Sequence, residues 1–366
     1  MLKKDLKQRS TYLDFMKILA IYFVCFYHYN NLNIDFLTTP SFSTYLNYFV
    51  KGIASTGVPL FFMVNGALML NRNYNLNKHI KKIINIVVLT IIWGFITLLI
   101  LSIINKNIYP PLRFLAGLWT WVPHITNHLW FLTTLVCIYI LFPLIKTVYD
   151  LEDKKILNYI LITIFIFTFG NVILNIIVNT TEYIFKINHL THSRFNFFNH
   201  FNLFQGFYAY SLVYFIIGGL IFKKLKGKIS INKNKYIVFF IVGLGLLFLN
   251  GVMMSKSNEA IYDTVWNGYD TIMTLLICIS IFLLTYSIEN KLNKISNIIQ
   301  LIGENTLGIY FLHRFVGSIL IPYYIKLNFN TSLLLNLLFG FATMFISLII
   351  TLILKKIPVV KFLFKI

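Results

Sequence analysis

The chain has 366 residues, 58% of them hydrophobic and only 12% charged, with a mean hydropathy of +0.74. Soluble domains carry about 25% charged residues, so a soluble globular enzyme is excluded, and so is a disordered chain, which needs the opposite composition. The net charge of +20 would suggest nucleic acid only on a folded soluble surface. Here the basic residues stand between apolar stretches, as in the loops of a polytopic membrane protein, and no nucleic-acid partner is expected.

Runs of about 20 apolar residues can cross a bilayer. In chain order they are predicted at roughly 12–30, 48–70, 83–104, 128–148, 156–178, 207–222, 236–252, 269–288, 304–325 and 332–354. The first is not read as a cleavable signal, because it is long, carries Asp14 and Lys17, and lacks a small-residue cleavage site. No soluble domain is expected after the last. The expected fold is all-α integral membrane: about ten transmembrane helices around a polar cavity, in a single domain over residues 1–366.

The loops give the orientation. Segments on the side of the N-terminus (up to Arg9, then 71–82, 146–155, 223–235, 289–300 and 355–366) hold 23 of the 32 Lys and Arg. The positive-inside bias therefore puts both termini in the cytoplasm. Cys25, Cys137 and Cys278 lie in apolar runs and form neither a disulfide framework nor a metal spacing. The outer connections 105–127 and 179–206 are rich in rings (Trp119, Trp121, Phe195, Phe197, Phe198). These read as an interfacial aromatic belt or as a sugar-stacking platform. His124 with His128 and His189 with His192 have spacings that zinc can use, but no Asp or Glu stands beside them as in HExxH. No metal is expected.

The first segment holds the clearest chemistry. Asp14 and Lys17 are at i, i+3, and Lys17 and His28 are eleven residues apart, about three helical turns and roughly 16 Å along one face. Ionisable groups within a span face the protein interior or a water-filled cavity. Separately, Lys17 could snorkel to the interface, Asp14 could only neutralise it, and His28 could only pack. Together they form one polar stripe. His313 and Arg314 lie inside the ninth segment, where Arg314 could meet Asp14, Glu304 or a substrate anion.

These residues also resemble a family. Asp14-Phe-Met-Lys17 followed by ten residues and His28 is similar to the Arg/Lys-x10-His motif of the membrane acyltransferase-3 family. Gly57-Val-Pro-Leu-Phe-Phe-Met-Val-Asn-Gly66 resembles its second-helix signature, in which Ser usually stands where Asn65 stands here. His128-Leu-Trp-Phe-Leu132 with Tyr139 and Pro143, and Leu307-Gly-Ile-Tyr-Phe-Leu-His313, resemble two further segments. The look is closest to the surface-polysaccharide O-acetyltransferase branch. The resemblance implies an enzyme of the bacterial cytoplasmic membrane that moves an acyl group, usually acetyl, from cytoplasmic acyl-CoA to a hydroxyl of a cell-envelope glycan. A separate extracytoplasmic transferase is a further expected partner, because some relatives carry an appended domain for that step.

On this reading His28 is the general base and acid, or carries the acyl group itself. Lys17, steadied by Asp14, attracts coenzyme A phosphates, with Lys78, Lys81 and Lys82 as further phosphate contacts. His128, Trp130, His313 and Arg314 are expected to bind substrate. The competing readings are a transporter or flippase of a polysaccharide intermediate, which needs no thioester-reactive base, and a non-catalytic subunit of an envelope-polymer complex.

Overall fold

The structure is a computed structural model and describes residues 10–28, 33–107, 126–187, 195–201, 208–227, 229–327 and 332–365. Trp119, Trp121, His124, His189 and His192 lie outside the described residues. Helices dominate, and no strand occurs among the described residues.

The main helices are α1 (Thr11–His28), α2 (Phe42–Lys51), α3 (Gly57–Leu70), α4 (Leu76–Asn105), α5 (Trp130–Asp150), α6 (Lys155–Phe185), α7 (Tyr210–Leu225), α8 (Lys233–Ser257), α9 (Ile272–Ser287), α10 (Ser296–Gly303), α11 (Thr306–Tyr324) and α12 (Leu333–Leu354). Their starts follow capping chemistry. Ser41 and Thr44 form a reciprocal capping box at α2, and the side chains of Asn75, Asn232 and Thr271 accept backbone N–H groups at the starts of α4, α8 and α9.

A helix occupies each of the ten predicted segments, but not all are long and apolar enough to cross a bilayer. Six spans meet that test, with residues 42–70 counted as one, and a seventh is added if Ile272–Ser287 and Glu289–Gly303, bent by 61°, count together. The reason is physical. α7 has 16 residues, about 24 Å of helix, and α1 and α11 carry Asp14, Lys17, His313 and Arg314 in place of apolar residues.

Those polar helices sit inside the bundle. α1 packs against α3, α9, α10, α11 and α12, and Met16, Ala20, Ile21 and Cys25 are fully buried. The long apolar α4, α6 and α8 leave many large side chains on the outer surface, among them Leu99, Ile103, Ile162 and Ile241, as lipid-facing helices do.

Two glycines set the closest crossing. α3 and α7 meet with Gly66 against Phe215 and Gly218 against Met63. A Cβ on Gly218 would lie 2.1 Å from the Met63 carbonyl oxygen, and one on Gly66 would lie 1.8 Å from that of Phe215. Small residues allow such backbone contact between helices in a membrane. Gly218→Val is expected to lower stability by about 1–3 kcal/mol or more. Gly245→Val, where a Cβ meets nothing within 4 Å, is the control and should be mild. Thermal unfolding of the two variants in detergent checks this.

Candidate active site

At the basic end of the bundle a cavity of about 530 Å³ is lined by Lys17, Lys82, Lys355 and Lys365, with Glu304 as the one acidic residue among the described lining. Lys17 Nζ lies 2.7 Å from Asp14 Oδ1. The carboxylate is buried, and Gly303 brings α10 against it, since a Cβ there would fall 2.8 Å from that of Asp14. Asp14 and Lys17 of the sequence stripe thus form an ion pair, with the ammonium end toward the cavity.

Two of these lysines come from the far end of the chain. Lys355 caps α12 and donates to Asn305 Oδ1 at 2.6 Å. Burial, reinforced by the nearby Lys361 and Lys365 charges, pulls its ammonium below the usual lysine range, while Glu304 pulls the other way. Trp93 stacks on Phe311 at 4.5 Å and donates to the Leu363 carbonyl at 2.9 Å. That bond seats the last turn beneath the bundle and brings Lys365 to the cavity. Lys82 extends over the Tyr139 ring, 4.9 Å from its centre. Lys78 and Lys81, expected beside it, stand exposed and do not line the cavity.

Asn65 also lines this cavity. Its amide donates to the Phe61 carbonyl at 2.9 Å and accepts from the Tyr139 hydroxyl at 3.1 Å. Tyr139 is itself set by Pro143, four residues on within α5. Proline has no N–H, so the Tyr139 carbonyl loses its helical partner. His79 replaces it, with Nε2 2.7 Å from that oxygen. The Tyr139…Pro143 pattern is therefore a helix defect repaired by a buried histidine from α4.

Toward the other end a second cavity, of about 360 Å³, is lined by His28, His128, Tyr27, Trp130, Tyr310 and Arg314, among others. His28 terminates α1, and Arg314 Nη1 lies 3.4 Å from its Nδ1. A guanidinium only donates, so a hydrogen bond here takes Nδ1 as the acceptor. The contact is longer than the 2.7–3.2 Å of a strong hydrogen bond. His313 is fully buried behind the cavity, its ring 5.2 Å from that of His28 and 5.9 Å from that of His128. Its Nδ1 is 2.6 Å from the Tyr310 carbonyl. The Tyr310 hydroxyl in turn donates to the His128 backbone carbonyl. Tyr27 donates to Asp263 Oδ2 at 2.5 Å, and Lys51 lies 3.5 Å from the other oxygen of that carboxylate.

Lys17 and His28 therefore line different cavities, which abut along Phe61, Phe131 and Tyr310, residues common to both linings. Of the residues singled out from sequence, His28, His128, Trp130 and Arg314 converge on one cavity and Lys17 and Lys82 on the other. His313 supports the first group from behind. Lys355, Lys365, Tyr27 and Tyr310 were not singled out. Tyr310 was within reach, because it lies i, i+3 from His313 inside a motif already noted. The two lysines showed only as ordinary loop charge. No group of three or more His, Cys, Asp or Glu suited to a metal ion occurs among the described residues.

Comparison with known proteins adds one match. A family model described as "Acyltransferase domain" covers residues 10–355, which takes in both cavities except Lys365 and Phe364. No curated protein and no solved structure matches.

The repaired helix yields a test. His79→Leu leaves the buried Tyr139 carbonyl without its partner and should cost about 1–3 kcal/mol. Adding Pro143→Ala restores an N–H four residues on and should recover most of that loss. Thermal unfolding of the four-membered mutant cycle measures the coupling.

Proposed function

The chain belongs to the membrane acyltransferase-3 family, and from that premise we propose that it is an integral-membrane O-acetyltransferase. In this reading it crosses the bacterial cytoplasmic membrane about ten times, with both termini cytoplasmic. It moves an acetyl group from cytoplasmic acetyl-CoA to a hydroxyl of a cell-envelope glycan. One observation carries the reading: a cavity ringed by four lysines abuts a cavity holding an imidazole beside a guanidinium. The first suits the phosphates of coenzyme A. The second suits acyl transfer.

The donor enters from the basic side, its phosphates near Lys17, Lys82, Lys355 and Lys365 and its pantetheine arm directed past Phe61, Phe131 and Tyr310. The thioester then meets His28. An uncharged hydroxyl is a poor nucleophile near neutral pH, and an imidazole can take its proton. The acceptor oxygen bonds to the acyl carbon, and negative charge builds on the carbonyl oxygen. Arg314 leaves its long contact with Nδ1 for that oxygen, freeing Nδ1 to receive the proton. The C–S bond then breaks, the thiolate takes the proton from His28, and coenzyme A leaves as the thiol. Lys17 in place of arginine keeps the attractive charge without the planar bidentate fork. Asn65 in place of serine gives this chain an amide that ties Tyr139 to α3.

Purified protein in lipid is expected to release coenzyme A from acetyl-CoA when acceptor glycan is supplied. His28→Ala should lower the rate at least about 100-fold while retaining the fold; normal turnover by that folded variant would remove His28 from the chemistry. Lys17→Ala and Lys365→Ala should mainly raise the acetyl-CoA KM. Lys17→Arg should be mild and the exposed Lys81→Ala silent. Equal damage from Lys17→Ala and Lys17→Arg would point to packing instead of phosphate attraction.

A further inference from the structure

A third cavity, of about 250 Å³, lies beyond the histidine–arginine cavity and shares Trp266 and Tyr269 with it. Its wall combines rings with polar side chains: Tyr208, Tyr210 and Trp266 line it together with Asn179, Asn250 and Asp270. Neither the acyl-transfer chemistry nor the donor's phosphates use these side chains. We propose that this cavity is a subsite for one neutral sugar ring of the acceptor, held against Trp266 with its hydroxyls on the amides and on Asp270.

Three features support it. The first is an unanswered acceptor. Asn250 is 8% exposed, and its Oδ1 is buried with no hydrogen-bond partner among the described residues. A buried carbonyl left unmade costs stability unless a ligand donates to it. The second is electrostatic. The described lining includes a carboxyl group and no Lys, Arg or His. That disfavours phosphates and uronates and favours vicinal hydroxyl donors. The volume sits just under the roughly 300–1,000 Å³ of drug-sized pockets, which suits one ring better than an extended chain.

The third feature is rigidity. The segment 258–271 that carries Tyr262, Trp266, Tyr269 and Asp270 is fixed from several helices. Tyr48 donates to the Tyr262 carbonyl at 2.7 Å, Ser255 Oγ accepts the Tyr262 N–H at 2.9 Å, and Tyr214 donates to the Tyr269 carbonyl at 2.9 Å. Asp263 accepts the N–H of Val265 at 3.0 Å while holding Tyr27. Opposite, Tyr208 adopts a left-handed backbone (φ 49°), a costly conformation for a tyrosine that its surroundings must enforce. Its ring lies 4.7 Å from Trp130 and 6.2 Å from Trp266. Rings held in place before binding lose little freedom when a sugar face covers them. Because Trp266 and Tyr269 belong to both cavities, a ring seated here extends its neighbouring unit toward His28.

The inference rests on the acyltransferase reading for its acceptor class, so binding is measured apart from turnover. Protein in lipid nanodiscs is titrated, without acetyl-CoA, with methyl glucoside, methyl galactoside, methyl N-acetylglucosaminide and methyl glucuronide, followed by tryptophan emission. At least one neutral glycoside should bind, and the glucuronide should not. Asn250→Leu and Asp270→Asn should each weaken that glycoside at least tenfold. Asn250→Leu should melt no earlier than the wild type, since it removes an unanswered buried acceptor. The exposed Asn267→Ala, also on the wall, should weaken binding severalfold and stands in if Asn250→Leu fails to fold. Absence of binding by every neutral glycoside, wild-type affinity in the variants, or equal binding of the glucuronide would each overturn the subsite. Coenzyme A release by the same preparation with envelope glycan reads the other premise. Its failure removes the acyltransferase reading and leaves sugar binding measurable, whereas intact release without sugar binding removes the subsite alone.

Discussion

A charge at the centre of a bilayer costs about 2.5–3.5 kcal/mol on insertion scales, and the arrangement of this chain follows from meeting that cost. Asp14 and Lys17 neutralise each other within one helical turn. Arg314 lies beside His28 across two helices. For these groups to stay out of lipid, the helices that carry them must be enclosed by others. α1 is accordingly packed on by five helices, and α4, α6 and α8 turn their apolar sides outward. The burial of α1 is thus a consequence of its polarity, and its polarity is what makes a cavity-lined site along it possible.

How much of this was legible in the sequence depends on distance along the chain. The stripe of Asp14, Lys17 and His28 lies on one helix, so the helical repeat alone puts Asp14 and Lys17 within reach and the ion pair forms, while His28, about three turns on, lines the other cavity. Pairings that close over hundreds of residues carry no local signal. Lys355 and Lys365 belong to a basic tail that looks like any cytoplasmic end. They reach the cavity because Trp93 holds the last turn, and nothing in the spacing of a tryptophan announces that. Lys78 and Lys81 have the converse history: their charge was visible, but the helical repeat turns Lys81 off the face that carries Lys82, and Lys78, one turn nearer the start of α4, stays exposed. The number of crossings was blurred for a related reason. A hydropathy pattern finds helices, but the buried inner ones are the least apolar.

Asn65 and His79 show what a motif can mean physically. Each is a repair. Pro143 breaks the hydrogen-bond ladder of α5, His79 fills the gap, and Asn65 fixes the hydroxyl of the residue whose carbonyl was freed. A proline and a tyrosine four apart were readable in the sequence; the partner that makes them tolerable was sixty residues away.

The ring septum between the two abutting cavities has a consequence for protons. An imidazole joined by continuous water to both cavities could pass them from one to the other. Phe61, Phe131 and Tyr310 stand where the two linings meet, and the Tyr310 hydroxyl is tied to backbone instead of being left to relay protons. In the proposed acetyl transfer, a wall of this kind would have to part for the donor's thioester arm and close behind it.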